Sequence, residues 1–302
     1  MGWIKQGQIF KPDGQYGWVV SHSMLPIPER RGDDLYRVYF SGRDDRNRSL
    51  VGYVEFDIRE PSRILKISEK PVLGLGELGT FDDNGVTPSW VIDHGGKKYL
   101  YYVGWNQGST VRMAEMAGLA ISTDGGEHFT RVSRAPILER TDREPLSLLA
   151  ATCVRIENGM WRMWYVSGIE WVHRDFVKYD IKYAESDDGV RWKRDGKPCL
   201  GFKSPEEYAV ARPCVLKDGG LYKMWFAYRQ GQETYRIGYA ESVDGRNWDR
   251  KDHVGGLDVS ETGWDSEMVE YPYVFDHKGK RYLLYNGNGY GKNGFGYAVW
   301  AD

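Results

Sequence analysis

Three side chains of unlike chemistry stand at matching places in the sequence: His22 in Ser21-His22-Ser23, Arg212 in Ala211-Arg212-Pro213, and Tyr271 in Glu270-Tyr271-Pro272, where Glu270 comes one residue earlier. Brought to one place, an imidazole, a guanidinium and a carboxyl supply a base, an anion clamp and a proton donor. Glu270 with an ionised second carboxylate makes an acid/base pair, one member held protonated and the other charged by their surroundings. Four acids are candidates for that partner. Asp83 lies in Phe81-Asp82-Asp83-Asn84-Gly85, Glu267 lies in the similar Trp264-Asp265-Ser266-Glu267, and Glu144 and Glu207 stand in comparable loops. Asp82 and Asp265 match each other in these stretches and read as turn caps. Each residue also has a plainer structural reading. Glu270 can be a buried acid satisfied by arginine or backbone donors, and Arg212 can be ion-paired with Glu270 or Glu207. Glu144 and Glu207 can be solvated loop charges. His22 can be a general base, a ligand to an axial metal or water, or a hydrogen-bonded core histidine.

An internal repeat is what would gather these residues. One aromatic strand recurs as Tyr36-Arg37-Val38-Tyr39-Phe40, Tyr99-Leu100-Tyr101-Tyr102-Val103, Arg162-Met163-Trp164-Tyr165-Val166, Lys223-Met224-Trp225-Phe226-Ala227 and Tyr282-Leu283-Leu284-Tyr285-Asn286, spaced by 63, 63, 61 and 59 residues. A shorter strand precedes each copy across a Gly-rich turn suited to a hairpin, as in Asp93-His94-Gly95-Gly96. A second hairpin follows, in which Tyr183-Ala184-Glu185-Ser186-Asp187-Asp188-Gly189 is echoed by Tyr239-Ala240-Glu241-Ser242-Val243-Asp244-Gly245. Glu185 and Glu241 share a slot in this echo and read as scaffold. Four strands per unit describe the blade of a propeller. The last unit ends at its third strand, and Trp3-Ile4-Lys5-Gln6-Gly7 resembles the missing outer one. The expected fold is all-β: a five-bladed β-propeller over residues 1–302, one domain, with four antiparallel strands per blade and the N-terminal strand closing the last.

In such a ring the innermost strands and the loops entering them face the centre. Before the strand proline, or its substitute, stand His22, Thr87, Ala151, Arg212 and Tyr271; one residue earlier stand Ser21, Val86, Ala150, Ala211 and Glu270. What repeats is scaffold, and what differs can be site. Just past each second strand come Arg43-Asp44, Trp105-Asn106, Glu170-Trp171, Tyr228-Arg229 and Asn288-Gly289-Tyr290. Aromatic faces for sugar rings beside Asn and Arg for hydroxyls are a mixture suited to a carbohydrate.

Bulk properties narrow the classes. Forty-one basic against 43 acidic residues, a net charge of −2, give a nucleic-acid partner no support. Cys153, Cys199 and Cys214 form neither a disulfide framework nor a zinc knuckle. No apolar run resembles a signal peptide or spans a bilayer, which predicts a cytoplasmic protein without a membrane partner. Gly289-Tyr290-Gly291-Lys292-Asn293-Gly294 spells a dinucleotide-binding pattern but runs into a strand where a helix is required. No cofactor or metal is expected.

The repeat pattern and length resemble the five-bladed propeller superfamily that holds glycoside hydrolase families 32, 43, 62, 68 and 130. The resemblance spans nearly the whole chain and implies activity on sugars. Glu270-Tyr271-Pro272 is similar to the Glu-Gly-Pro element that carries the general acid in family 43, which implies that role for Glu270. The Asp-Pro elements that carry the base and its helper are absent, so the opposing carboxylate must come from Asp83, Glu144, Glu207 or Glu267. The implied function is a glycoside hydrolase-like enzyme acting on a small intracellular glycoside, oligosaccharide or glycoconjugate. His22, Arg43, Asp44, Trp105, Asn106, Trp171, Arg212, Tyr228, Arg229, Tyr271 and Asn288 are the substrate-binding candidates. Two alternatives stay open: phosphorolysis or glycosyl transfer, needing one acid and the cations Arg43, Arg212 and Arg229, and a non-catalytic sugar-binding propeller.

Overall fold

Alternation of aromatic or aliphatic with polar residues makes almost every segment of this chain a strand, and the computed structural model, which describes residues 2–301, is all-β apart from one short helix. After β1 (Gly2–Phe10), antiparallel pairing joins β2 (Ser21–Arg30), β3 (Leu35–Arg43), β4 (Ser49–Asp57) and β5 (Ile64–Ile67) in chain order. The same meander recurs in β6 (Val86–His94), β7 (Lys97–Gln107), β8 (Met113–Ser122) and β9 (Thr130–Arg131). It recurs in β10 (Leu148–Glu157), β11 (Met160–His173), β12 (Phe176–Ser186) and β13 (Pro198–Leu200). A further meander is β14 (Glu207–Asp218), β15 (Leu221–Gln230), β16 (Arg236–Ser242) and β17 (Asp249–Arg250), followed by α1 (Asp252–Gly255). Finally β18 (Glu270–His277), β19 (Lys280–Asn286) and β20 (Phe295–Ala301) form three strands, and β1 returns from the other end of the chain to pair with β20 as the fourth.

Local chemistry sets the hairpins. Asn158-Gly159 and Lys278-Gly279 both take positive φ at two successive residues, the turn whose twist matches its flanking strands. In the second hairpins Ser122, Ser186 and Ser242 accept turn N–H groups on Oγ, and Asp124, Asp188 and Asp244 cap the N–H groups beyond. These turns also tie one meander to the previous one. Tyr101 donates its hydroxyl to the Gly189 carbonyl at 2.8 Å, and Trp164 donates its indole N–H to the Gly245 carbonyl at 2.7 Å.

Neighbouring meanders meet at one end of their strands. Parallel pairing links β8 to β10 at Glu115 and Leu148, and β12 to β14 at Tyr179 and Ala209. Ser49 bridges Gly85 in the same sense. The last meander meets the first: the Ser23 N–H donates to the Gly291 carbonyl at 2.9 Å, Asn286 donates to the Ser23 carbonyl, and the Tyr36 hydroxyl contacts His277 at 3.1 Å. The core lies between facing meanders, built from Trp90, Tyr101, Trp161, Trp164, Trp225 and their aliphatic neighbours. Among the described residues no helix is long and apolar enough to cross a membrane.

Candidate functional site

Four of the five inner strands carry a defect at the position singled out in the sequence; in β6 the register slips one step later, between Pro88 and Trp90, and Thr87 keeps an ordinary φ. The pairing register of β2, β10, β14 and β18 slips across Ser21/Met24, Ala150/Cys153, Ala211/Cys214 and Glu270/Tyr273. Inside those slips His22, Ala151, Arg212 and Tyr271 hold φ of 60°, 47°, 51° and 55°, a left-handed conformation that costs an L-residue about 1–2 kcal/mol. A bulge re-aims a side chain out of the strand's alternation. Four inner strands share this strain, which is the kind of cost that collects at functional sites.

Three of the re-aimed residues, Ala151, Arg212 and Tyr271, line a cavity of about 630 Å³, together with Arg43, Trp105 and Arg229. The close approach of Trp105 requires Gly85, because a Cβ there would collide with the indole. Five sequence-predicted residues are thereby assembled. His22 stands beside this group without lining the cavity, its Nδ1 2.9 Å from the Ser21 hydroxyl. Burial, then the charges of Arg43 and Lys292, push the His22 imidazole down to about 4.

Glu270 is 0% exposed, and neither carboxyl oxygen has a hydrogen-bond partner among the described residues. Burial raises its pKa well above the usual carboxylate range, against the opposing pull of the Arg229 guanidinium and the Tyr271 hydroxyl. Arg212 is also 0% exposed, and its Nε, Nη1 and Nη2 are all unpartnered. The ion pair between them that the sequence allowed does not form. Glu270 lies behind the wall, and the adjacent Tyr271 lines the cavity.

A second acid is present, and it is none of the four expected ones. Glu115, on β8, lines the cavity, and burial raises its pKa against the charge of Arg112. Glu115 and Glu270 both act on Tyr271, whose hydroxyl burial and these two acids keep protonated. Tyr179, Tyr208, Tyr235 and Tyr290 complete a phenol-rich wall, with Arg229 5.2 Å from the ring centres of both Tyr208 and Tyr235.

Asp83, Glu144, Glu207 and Glu267 do not line the cavity. Glu144 accepts the Tyr165 hydroxyl at 2.9 Å and pairs with Arg194 at 2.6 Å; Glu207 pairs with Arg250 at 2.6 Å. Asp82, bound to Tyr102 and Arg131, and Asp265, bound to Tyr285 and Lys5, are built the same way. All four are one recurring latch, in which an acid entering the inner strand grips a cation near the outer strand. Asp83 accepts N–H groups from Gly79 and Asn106 and closes its own loop. Glu267 is exposed, and its backbone N–H is held by Asn288 at 2.8 Å.

Other rim candidates are braces. Asp44 pairs with Arg48 at 2.8 Å and caps its turn, Asn106 holds the Thr80 carbonyl, and Asn288 fixes the loop before β18. Trp171 packs against Leu148 and Val177, and Tyr228 lies beneath the Arg250 guanidinium. Among the described residues no group of three or more His, Cys, Asp or Glu is arranged to hold a metal ion.

The comparisons with known proteins extend this picture. Two Mycobacterium tuberculosis proteins, uncharacterized protein MT1551 of strain CDC 1551 / Oshkosh and uncharacterized protein Rv1502 of strain H37Rv, are each 42% identical over 300 residues, covering 99% of both chains. The chain belongs to their family. No family model matches the sequence. A 1,2-beta-oligomannan phosphorylase of Thermoanaerobacter sp. (strain X514) is 26% identical over 132 residues, 42% of this chain and 45% of that one. Among solved structures, a glycoside hydrolase superposes at a TM-score of 0.78 with 20% identity, covering 99% of this chain and 91% of that one. A structure described under the GH130 family of mannoside phosphorylases, which contains glycoside hydrolases that target β-1,2 mannosidic linkages in Candida mannan, superposes at 0.74 with 14% identity, covering 99% and 93%. A thermostable family-43 glycoside hydrolase superposes at 0.67 with 19% identity, covering 94% and 89%. The family of MT1551 and Rv1502 therefore has the β-propeller fold of glycosidase-like enzymes.

In this member of the family the sequence did hold a signal for the residues that reasoning missed. Glu115, Tyr179 and Tyr235 each stand seven residues before the turn serines Ser122, Ser186 and Ser242. All three line the cavity. Counting back from the turn would have exposed one acid in a slot otherwise held by tyrosine.

Proposed function

We propose that this protein is a carbohydrate-processing enzyme, a single five-bladed propeller domain whose central cavity cleaves a glycosidic bond by acid/base catalysis. The observation that carries this reading is a fully buried acid, Glu270, whose pKa burial raises well above the usual carboxylate range, next in the chain to the cavity-lining Tyr271, with a second acid, Glu115, whose pKa burial also raises, lining the same cavity, which has room for one or two sugar rings. The two environments differ in degree, as acid and base roles require. Because Glu270 has no exposed surface, its proton leaves through Tyr271, whose hydroxyl must first turn onto the Glu270 carboxyl. The phenol donates to the glycosidic oxygen while taking the Glu270 proton, the bond from that oxygen to the anomeric carbon breaks, and the incoming oxygen forms a new bond there, losing its proton to Glu115. Exchange with solvent returns a proton to Glu270 and removes one from Glu115. Trp105 offers an aromatic face to a ring in this cavity.

The likeness to a 1,2-beta-oligomannan phosphorylase and to structures that target β-1,2 mannosidic linkages makes β-1,2-manno-oligosaccharides the first substrates to assay. Sugar release is followed with and without phosphate, which shows whether water or phosphate receives the glycosyl group. Glu270→Gln and Glu115→Gln are each expected to lower kcat by about 100-fold or more, as loss of a general acid or base does, and Tyr271→Phe to lower it comparably with KM little changed. Wild-type turnover in Glu270→Gln on any substrate the native enzyme cleaves would remove the assignment.

A further inference from the structure

A buried guanidinium without a partner is among the least favourable features a fold can carry, because its desolvation is uncompensated. Arg212 is such a group, wholly buried with all three nitrogens free, and it is held in a left-handed bulge as well. Two costs fall on one residue, and that residue lines the cavity.

Its surroundings share the sign. Arg43 and Arg229 line the same cavity, and each leaves its Nε unpartnered; Arg112 and Arg174 are exposed members of the same lining. Among the described residues only two acids, Glu115 and Asp175, line it. The excess of positive charge reaches His22, where Arg43 and Lys292 add to burial in keeping the ring neutral.

We propose that Arg212, together with Arg43 and Arg229, is the receptor for a phosphoryl group, either free phosphate or a phosphate borne by the sugar. One carboxylate would be matched by the fork of Arg212 alone through two parallel N–H bonds. Three inward guanidinium groups suit a group with close to two negative charges and three acceptor oxygens. The phenols of Tyr235 and Tyr271 add neutral donors at the same wall. This inference rests on the reading of the cavity as a glycoside site, and it names the charge its ligand carries.

The test is binding, read by calorimetry and thermal shift on the full chain with inorganic phosphate, mannose 1-phosphate, mannose 6-phosphate and glucuronate. Wild-type protein is expected to bind phosphate or a mannose phosphate saturably, tighter than about 1 mM. Arg212→Met is expected to weaken that binding about 30-fold or more, the effect of removing one partner of a buried charge pair, and without ligand to melt above wild type. Saturation by inorganic phosphate marks free phosphate as the ligand; saturation by the esters alone marks a phosphorylated sugar. Binding of glucuronate without any phosphate compound, no saturable binding at all, or unchanged affinity in Arg212→Met would each overturn the proposal. If Arg212→Met does not fold, Arg229→Gln is the second variant, with weakened phosphate binding expected and unchanged binding counting against the site. Glu270→Gln should still bind phosphate, so failure of the anion site and failure of the acid assignment are told apart.

Discussion

Glu270, a buried acid that holds its proton, and Arg212, a buried guanidinium, stand on adjacent inner strands without pairing with each other, and this separation keeps both available to a ligand. Its energetic consequence is open to measurement. Burial raises the folded-state pKa of Glu270 well above the unfolded value of about 4.3, so the folded chain holds a proton that the unfolded chain has released. The stabilisation from that proton is complete below the unfolded pKa and is lost as pH rises toward the folded pKa. Wild-type stability, followed by urea unfolding from pH 5 to pH 8, should therefore fall relative to Glu270→Gln by at most about 1.4 kcal/mol per pH unit. A constant difference would mean that Glu270 is ionised in the folded state. His22 acts in the opposite direction. Its folded value of about 4 lies below the unfolded value of about 6.5, so its contribution is lost as pH falls through that interval, and it is common to wild type and variant.

At the scale of the strand and its turns, much was legible because the signals are local. Aromatic alternation, glycine turns and the recurring Ser-x-Asp-Gly hairpins are short-range patterns, and the structure places strands and turns where they predict. The positive-φ bulges at His22, Ala151, Arg212 and Tyr271 fall on the positions singled out for their uneven chemistry. What the sequence concealed was pairing across long separations. Nothing local distinguishes Glu144 as a latch from Glu144 as a catalytic acid; Arg194, fifty residues away, decides it. Glu115 escaped because the third strands were compared near their turns, where Glu185 and Glu241 share a slot, and not at the end where each meets the next meander. The latch makes its own prediction. Glu144 and Arg194 have buried side chains 2.6 Å apart, so Arg194→Met leaves the carboxylate with only Lys182 at 3.6 Å and the Tyr165 hydroxyl, and should cost about 2–3 kcal/mol in thermal or denaturant unfolding, at or below the low end for breaking a buried pair. A loss below about 1 kcal/mol would show that the pair is solvated.

For the molecule as a whole, the return of β1 to β20 closes the last meander, and Lys5 brings to Asp265 the cation that Arg131, Arg194 and Arg250 bring to their acids. The N-terminal strand thus holds the outer place, as its likeness to an outer strand predicted. Without it β20 becomes an open edge, Asp265 loses its cation, and Trp3 no longer packs on Trp225 and Trp300. Deleting residues 2–10 is expected to abolish cooperative unfolding and to produce aggregates on size-exclusion chromatography; a monomer with the wild-type melting temperature would contradict closure by this strand. Closure also matters for the site, since Arg43 comes from the first meander, Glu115 from the second, and Glu270 from the last. We propose that these residues surround one ligand. A crystal structure of Glu270→Gln soaked with manno-oligosaccharides and mannose phosphates tests it most directly. The account predicts a sugar ring against Trp105 and Tyr271 with Glu115 beside its anomeric carbon and a phosphoryl group on Arg212; a sugar bound elsewhere on the molecule, with the cavity unchanged, would contradict it.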